Sequence, residues 1–295
     1  MKVISVINYK GGVGKTTITA NLAADLVARA NRRVLVIDLD PQTNLTFSFM
    51  PVEVWHDKYA EKGTIRNWFD SIINDEPVPP LSSLIVKKQG VDIICSHLGL
   101  IDVDIELAAK IAATTTRQHK INFVKIYSHI KKALEKMDAD YDVVLFDCPP
   151  NFSTVTRNAI IASDFYLVPA KMDYLSTLGI EQLQHRVNEF TKEYNSFRTT
   201  DTDCDEVLPQ FLGVVATMVS FHSGSPIKAQ LSYINRLRKK VTVFDSMIRD
   251  NKTLYADAPE HSEPVVLETH SGKTYSEVVD ELKRLTDEFI DKTRV

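Results

Sequence analysis

Cysteine is scarce in this chain of 295 residues: only Cys95, Cys148 and Cys204 occur, far apart from one another. Cysteines so few and so scattered exclude a disulfide framework or a cysteine-built zinc site and point to a reducing cytoplasm. Also missing is any apolar run approaching the ~20 residues of a membrane span. The N-terminus MKVISVINYK leads straight into a glycine-rich stretch, so no signal peptide is expected. Charge is nearly balanced. A net −4 at pH 7 gives nucleic acid no chain-wide attraction, and any DNA contact has to come from a local patch. Apolar side chains are plentiful. At 44% they suffice for a large core, in one large α/β domain or two small ones.

The stretch YKGGVGKTT, Tyr9 to Thr17, organises the rest. Apolar Val3 to Ile7 precedes it, and Ile18, Leu22 and Leu26 follow four apart on one helical face, which predicts strand, glycine loop and helix. Gly11, Gly12 and Gly14, with Val13 among them, let successive backbone N–H groups turn inward around a polyphosphate, with the positive helix end behind them. Lys15 adds a point charge for the β- and γ-phosphates, and the Thr16 hydroxyl is of the kind that ligates Mg²⁺. The place five before Gly14, where an ordinary P-loop has its first glycine, holds Tyr9. A second lysine, Lys10, comes next.

Two further strands end in carboxylates. In VLVIDLDPQ, the run Val34 to Leu39 is apolar but for Asp38, as in a parallel strand covered on both faces. Asp38 and Asp40 then stand at its carboxyl end, where open α/β sheets place ligands. Alone, two aspartates before Pro41 make an ordinary turn; one βα unit after a phosphate loop, they read as site residues. In YDVVLFDCPP, Val143 to Phe146 is wholly apolar and ends at Asp147, the lone carboxylate that a P-loop protein needs to hold Mg²⁺. Cys148 beside it reads as a small core residue.

The loop with its extra Lys10 is the deviant Walker A motif, and with DLDPQ and LFDCPP in this order the chain resembles the ParA/Soj-type partition ATPases of the ParA/MinD branch. The resemblance continues through NFSTVTRNAIIASDFYLVPAKMDYLSTLGIEQL and closes at VFDSMIRDNKTLYADAPEHSEPVVLE. It implies a doubly wound α/β fold, a mainly parallel sheet of about seven strands with helices on both faces, over one domain from 1 to 295. It further implies that no N-terminal helix-turn-helix domain precedes the loop. Lys10 would cross a dimer interface to the partner's nucleotide, Asp40 would orient the attacking water, Asp38 would belong to the magnesium shell, and Thr17 would meet the α-phosphate. Where relatives have Ile-Pro-Arg-Asn near the adenine, this chain has Ile248-Arg249-Asp250-Asn251, so Asn251 is the candidate base contact. The implied activity is ATP hydrolysis with ATP and Mg²⁺, catalysed by Lys10, Lys15 and Asp40. No strong base is evident and the essential lysine acts in trans, so a lone chain should turn over slowly.

Partners follow from the same resemblance. An ATP-dependent homodimer would bind non-specific DNA of the nucleoid, and a ParB-like or other cargo adaptor would stimulate hydrolysis and release plasmid, chromosome or other cargo. From Ser225 to Lys252 seven Lys or Arg face two Asp, and Arg236, Lys239 and Lys240 fall three and four apart, so with Lys228 they are the candidate DNA contacts. A solvated helix face is the simpler reading of the charges alone. The alternative is a MinD-like positioning ATPase acting on a membrane or protein assembly without DNA. Against a membrane stands the C-terminal stretch from Asp257, with ten acidic and five basic residues, the reverse of a basic anchor. A cluster-bearing electron carrier like nitrogenase iron protein would need more cysteine near the loop than Cys148. A scaffold using nucleotide as structure would be indifferent to loss of Asp40.

Less is legible elsewhere. TIRNWFDSII predicts a short helix packing Ile65, Trp68, Phe69 and Ile72, and VDIIC a strand followed by the helix of IDVDIELAAKIAA. Thr114 to Lys120 reads as a loop, Phe123 to Met137 as one helix, and Thr191 to Glu206 as a polar surface loop.

Overall fold

The computed structural model describes residues 1–88, 90–137, 139–199, 204–222, 224–269 and 272–295, and of 256–259 the backbone alone. The chain begins with β1 (Lys2–Val6), α1 (Lys15–Ala28), β2 (Val34–Asp38), α2 (Asn44–Phe47), α3 (Val52–Lys58) and α4 (Ile65–Ile73). Next come β3 (Val86–Lys88), β4 (Val91–Ile94), α5 (Leu100–Ile111), α6 (Thr116–Tyr127), α7 (His129–Glu135), β5 (Val143–Asp147) and α8 (Thr154–Ala162). Then follow β6 (Phe165–Lys171), α9 (Tyr174–Arg198), β7 (Gln210–Val219), a small hairpin of β8 (Phe221–His222) and β9 (Ser225–Pro226), and α10 (Lys228–Arg238). The chain closes with β10 (Val243–Arg249), α11 (Lys252–His261) and α12 (Lys273–Thr293).

Eight strands form one sheet in the order β10-β7-β6-β1-β5-β2-β4-β3, parallel except for β3, which runs antiparallel to β4 at one edge. The central strands need cover on both faces, and their alternation provides it. Val144 and Phe146 of β5, with Leu35 and Ile37 of β2, join a core capped by α4 to α10. Val143 and Leu145, with Val34 and Val36, face the opposite core under α1, α2 and α12. The apolar stripe of α12, with Val278, Leu282, Leu285 and Phe289 buried, lies on that second core. The sheet is thus doubly wound, and the expected mainly parallel architecture is present with one strand more than about seven.

Local differences from the sequence reading have local causes. Thr116 to Lys120 is the first turn of α6 rather than loop, because the Thr115 side chain accepts a hydrogen bond from the Gln118 amide at 3.2 Å and caps the helix. The expected helix from Phe123 to Met137 is split at Ser128 into α6 and α7. Residues 191–198 continue α9, since buried Thr191 and Tyr194 extend the stripe of Leu183, Val187 and Phe190; of the loop expected there, 200–203 lie outside the described residues. The helix at TIRNWFDSII forms as expected with Ile65, Trp68, Phe69 and Ile72 all buried.

Candidate nucleotide site

Parallel register brings the site together. Asp147 of β5 lies opposite Val6 of β1 and Asp38 of β2, so three neighbouring strands end level at their carboxyl edge. The loop from Tyr9 to Gly14 rises from β1 at that edge and feeds α1. Gly12 and Gly14 adopt φ of 63° and 83°, the left-handed region in which a side chain would be strained. Thr217 of β7 donates its hydroxyl to the Val13 carbonyl at 2.8 Å and pins the loop from the side. Asn8 does the same from below: its amide donates to the Pro169 carbonyl, and its Oδ1 accepts from the Lys10 amide at 3.0 Å.

The two lysines of the loop occupy different environments. Lys15 is 6% exposed, its ammonium 3.4 Å from the Lys10 carbonyl, and burial lowers its pKa against the opposing pull of Asp147 and Asp40. Lys10 points outward with 43% of its side chain exposed, and its ammonium meets Asp173 Oδ2 at 2.9 Å and Ser176 Oγ at 3.1 Å on the first turn of α9. Asp173 also caps α9, accepting from the Ser176 amide at 2.8 Å. An exposed ion pair of this kind is worth about 0–1 kcal/mol, so little holds Lys10 in place.

Three carboxylates gather at this edge, and two of them, Asp147 and Asp40, act on Lys15. Asp147 and Asp38 are fully buried, and the pKa of each is raised by burial first and by its acidic neighbours. Asp38 is already satisfied within the protein: one oxygen accepts from the amide and hydroxyl of Thr46, each at 2.8 Å, the other from the Asp40 amide at 3.1 Å. Asp147 is not. Its Oδ2 accepts from the Thr16 hydroxyl at 2.6 Å, while its buried Oδ1 has no hydrogen-bond partner. Asp40 is 8% exposed, its Oδ1 holding the Gln42 amide at 3.0 Å and its carbonyl the Ser96 hydroxyl at 2.7 Å. Among the described residues no group of three or more His, Cys, Asp or Glu is disposed to hold a metal ion. A divalent cation fits here in the manner of Mg²⁺, on one hydroxyl, one carboxylate and the oxygens of a bound phosphate, and an orphaned carboxylate oxygen beside Thr16 answers that need.

A model described as the AAA domain matches residues 1–199. Over 267 residues the chain is 30% identical to the sporulation initiation inhibitor protein Soj of Bacillus subtilis, covering 90% of each chain. The chain belongs to the ParA/Soj family of P-loop ATPases. In fold it is similar to apo McdA of Cyanothece, with TM-score 0.73 at 19% identity over 98% of this chain and 99% of that one. A similar fold also occurs in cobyrinic acid a,c-diamide synthase of Mycobacterium smegmatis, solved with an ATP analogue and magnesium, with TM-score 0.65 at 25% identity over 88% and 92%.

Within this ParA/Soj framework the structure brings Lys10, Lys15, Thr16, Asp38, Asp40 and Asp147 to one edge. Asn251 is engaged at the start of α11, where its Oδ1 accepts from the Leu254 amide at 3.2 Å. Arg249, in the place of the relatives' proline, is drawn to the C-terminal helix by Glu277 at 2.6 Å and Glu281 at 2.7 Å and lies over the Phe221 ring. Thr46, Asp173, Ser176 and Thr217 carry the site from positions to which no sequence motif drew attention. Asp173, Ser176 and Thr217 act on partners brought near by the strand order, while Thr46 reaches back eight residues to Asp38 within one β–α segment.

The basic block divides. Lys240 is paired with Glu181 at 2.5 Å, Arg238 with Asp245 at 2.6 Å, and Arg249 as above. Exposed Lys228, Arg236 and Lys239 form no ion pair among the described residues. Helical spacing puts Lys228 and Lys239 on nearly one line along α10, with Arg236 beside it. No helix among the described residues is long and apolar enough to cross a membrane.

Proposed function

We propose that residues 1–295 form one ATPase domain that works as a partition or positioning switch. ATP with Mg²⁺ favours a face-to-face dimer, the dimer holds non-specific DNA of the nucleoid, and a cargo-borne adaptor resets it by stimulating slow hydrolysis. The observation that carries this reading is the division of labour in the loop: Lys15 is buried against the acidic site while Lys10 stands 43% exposed on a weak surface pair. A lysine not needed within its own site is free to serve a neighbouring copy's.

Each residue then has a task. The amides from Gly11 to Thr17 cradle the phosphates, Lys15 neutralises charge growing on the transferred group, and Asp40, buried beside it, orients water. Thr16 and Asp147 would hold Mg²⁺, with buried Asp38 shaping the surroundings, and the ion would supply neutralisation of phosphate charge. Asn251 contacts the base, and Lys228, Arg236 and Lys239 meet DNA phosphates, while Lys240 stays on Glu181.

Binding to a DNA duplex of arbitrary sequence, measured with ADP, with ATP and with ATP on the Lys10→Ala protein at two salt concentrations, tests this. Tight, salt-sensitive binding is expected only for ATP with intact Lys10. If ATP dimerises the protein and no state binds DNA, the second reading stands: a positioning ATPase acting on a protein assembly or membrane surface, which the paired-off state of Lys240, Arg238 and Arg249 favours.

A further inference from the structure

Behind the loop that follows Asp147 lies an aromatic stack that the ATPase reading leaves unused. Tyr9, in the place of the ordinary glycine, meets the Phe152 ring edge-on, centroids 6.1 Å apart. Phe152 in turn packs at 5.8 Å and 87° on Phe190 of α9. The Arg157 guanidinium lies over both rings, 5.3 Å from each. Its Nε donates to the Phe152 carbonyl at 3.0 Å and its Nη1 to the Tyr127 hydroxyl at 3.2 Å.

Arg157 forms no ion pair among the described residues, although it is half-buried. Withdrawing a guanidinium from water without a carboxylate is unfavourable unless other acceptors and ring faces replace the lost hydration. Here the replacements are the Phe152 carbonyl and ring in the loop after Asp147, the Tyr127 hydroxyl and the Phe190 ring of α9. The same helix α9 holds Lys10 through Asp173 and Ser176. At its far end the loop is tied by the Val155 amide to Asp104 of α5 at 3.0 Å.

The geometry points to Arg157 as a positioning residue: by clamping Phe152 between Tyr9 and Phe190 it fixes the Asn151–Thr154 loop against the phosphate loop and couples both to α9. This rests on the ATPase reading only for its catalytic consequence. Arg157 touches no reacting atom. It sets where the loop stands when the phosphate is transferred, and a displacement of about 1 Å is enough to cost up to ~10²-fold in rate. Arg157→Met keeps the length and apolar bulk of the side chain and removes its donors and charge. Arg157→Lys restores a cation over the rings with fewer, differently aimed donors.

The experiment pairs amide hydrogen exchange over 150–157 in the nucleotide-free protein with steady-state ATP kinetics for wild type, Arg157→Met and Arg157→Lys. Expected is faster exchange confined to that segment in Arg157→Met, a kcat lowered ~10-fold or more with KM changed less than about twofold, and partial recovery of both in Arg157→Lys. Unchanged exchange in Arg157→Met, or a rise in KM without a fall in kcat, overturns the assignment. So does faster exchange spread over the whole chain. Exchange is read without nucleotide, so a wild type inactive on ATP refutes the functional reading while leaving the clamp decided by exchange alone.

Discussion

At the phosphate loop, backbone geometry and burial fix Lys15 and the carboxylates beside it, whereas from Ser225 to Lys252 most charges sit on an exposed surface where neighbouring carboxylates decide which stay free. Lys15 has no other place to go: α1 begins at it, the left-handed Gly14 turns the chain there, and Asp147, Asp40 and the Lys10 carbonyl surround it. Lys240 has the same charge but lies in the open just past the C-terminal end of α10, and Glu181 takes it up. A buried cation in a preorganised ring of partners is worth far more than an exposed one, because water competes with the second and not with the first. A count of basic residues therefore overstates what α10 offers to a polyanion, while a count of glycines and carboxylates describes the phosphate loop well.

Breaking the buried side of this comparison should give the largest effect. Lys15→Ala is expected to lower ATP turnover by about 10²–10³-fold, the scale of losing one preorganised charge-stabilising donor. Asp40→Ala should lower turnover on a similar scale while leaving ATP affinity near that of wild type, because Asp40 is assigned to water and not to phosphate. Titration with a fluorescent ATP analogue beside a phosphate-release assay separates the two. If Asp40→Ala turns over as the wild type does, Asp40 does not orient the water; if neither protein turns over, nucleotide is structural and the switch reading is lost.

How much of this was legible in the sequence follows from the range of the contacts involved. The strands ending at Val6, Asp38 and Asp147 were readable because each is a contiguous apolar run that stops at the residue that matters. Glycines at 12 and 14 were readable because their backbone requirement is local. The hold of Asp173 on Lys10 spans 163 residues and that of Thr217 on Val13 spans 204. Both depend on β6 and β7 standing side by side next to β1, a strand order that no local pattern encodes. The same limit hid the neutralisation of Arg249 by α12, and it made β10 read as part of a basic block. Its apolar alternation is weak, with only Phe244 and Ile248 fully inside.

The exposed side of the comparison is sharpened by separating free from paired cations. A Lys228→Ala, Arg236→Ala, Lys239→Ala triple variant should weaken ATP-dependent DNA binding at all sequences alike and reduce the slope of log affinity against log salt by up to about 3 per protomer. Lys240→Ala alone should change it little, since its partner Glu181 already screens it. Filter binding across a salt series measures both. Equal losses in the two variants would mean that the pair with Glu181 opens on DNA, and the distinction between free and paired cations would fail.

The smallest effect concerns a third cationic surface, where lysines without an ion pair among the described residues act on a neighbour inside the protein. His129, at the start of α7, is largely buried against Trp68, with its Nε2 unbonded. Burial first, then the charges of Lys125 and Lys132, push its pKa from 6.5 down to about 4. Between those values the unfolded chain binds more protons than the folded one, so the contribution to stability is complete above pH 6.5 and drains away as pH falls toward 4. The loss is on the order of 1–3 kcal/mol at most, one pKa unit being worth about 1.4 kcal/mol. Denaturant unfolding at pH 7.5 and pH 5 should therefore show a steeper decline for wild type than for His129→Leu, which has no proton to gain. Lys125→Ala should flatten the wild-type decline only in part, because it removes the second cause of the shift and leaves the first, burial, in place. Equal declines in all three proteins would mean that water reaches the imidazole and that the lysines around it are screened as thoroughly as those on α10.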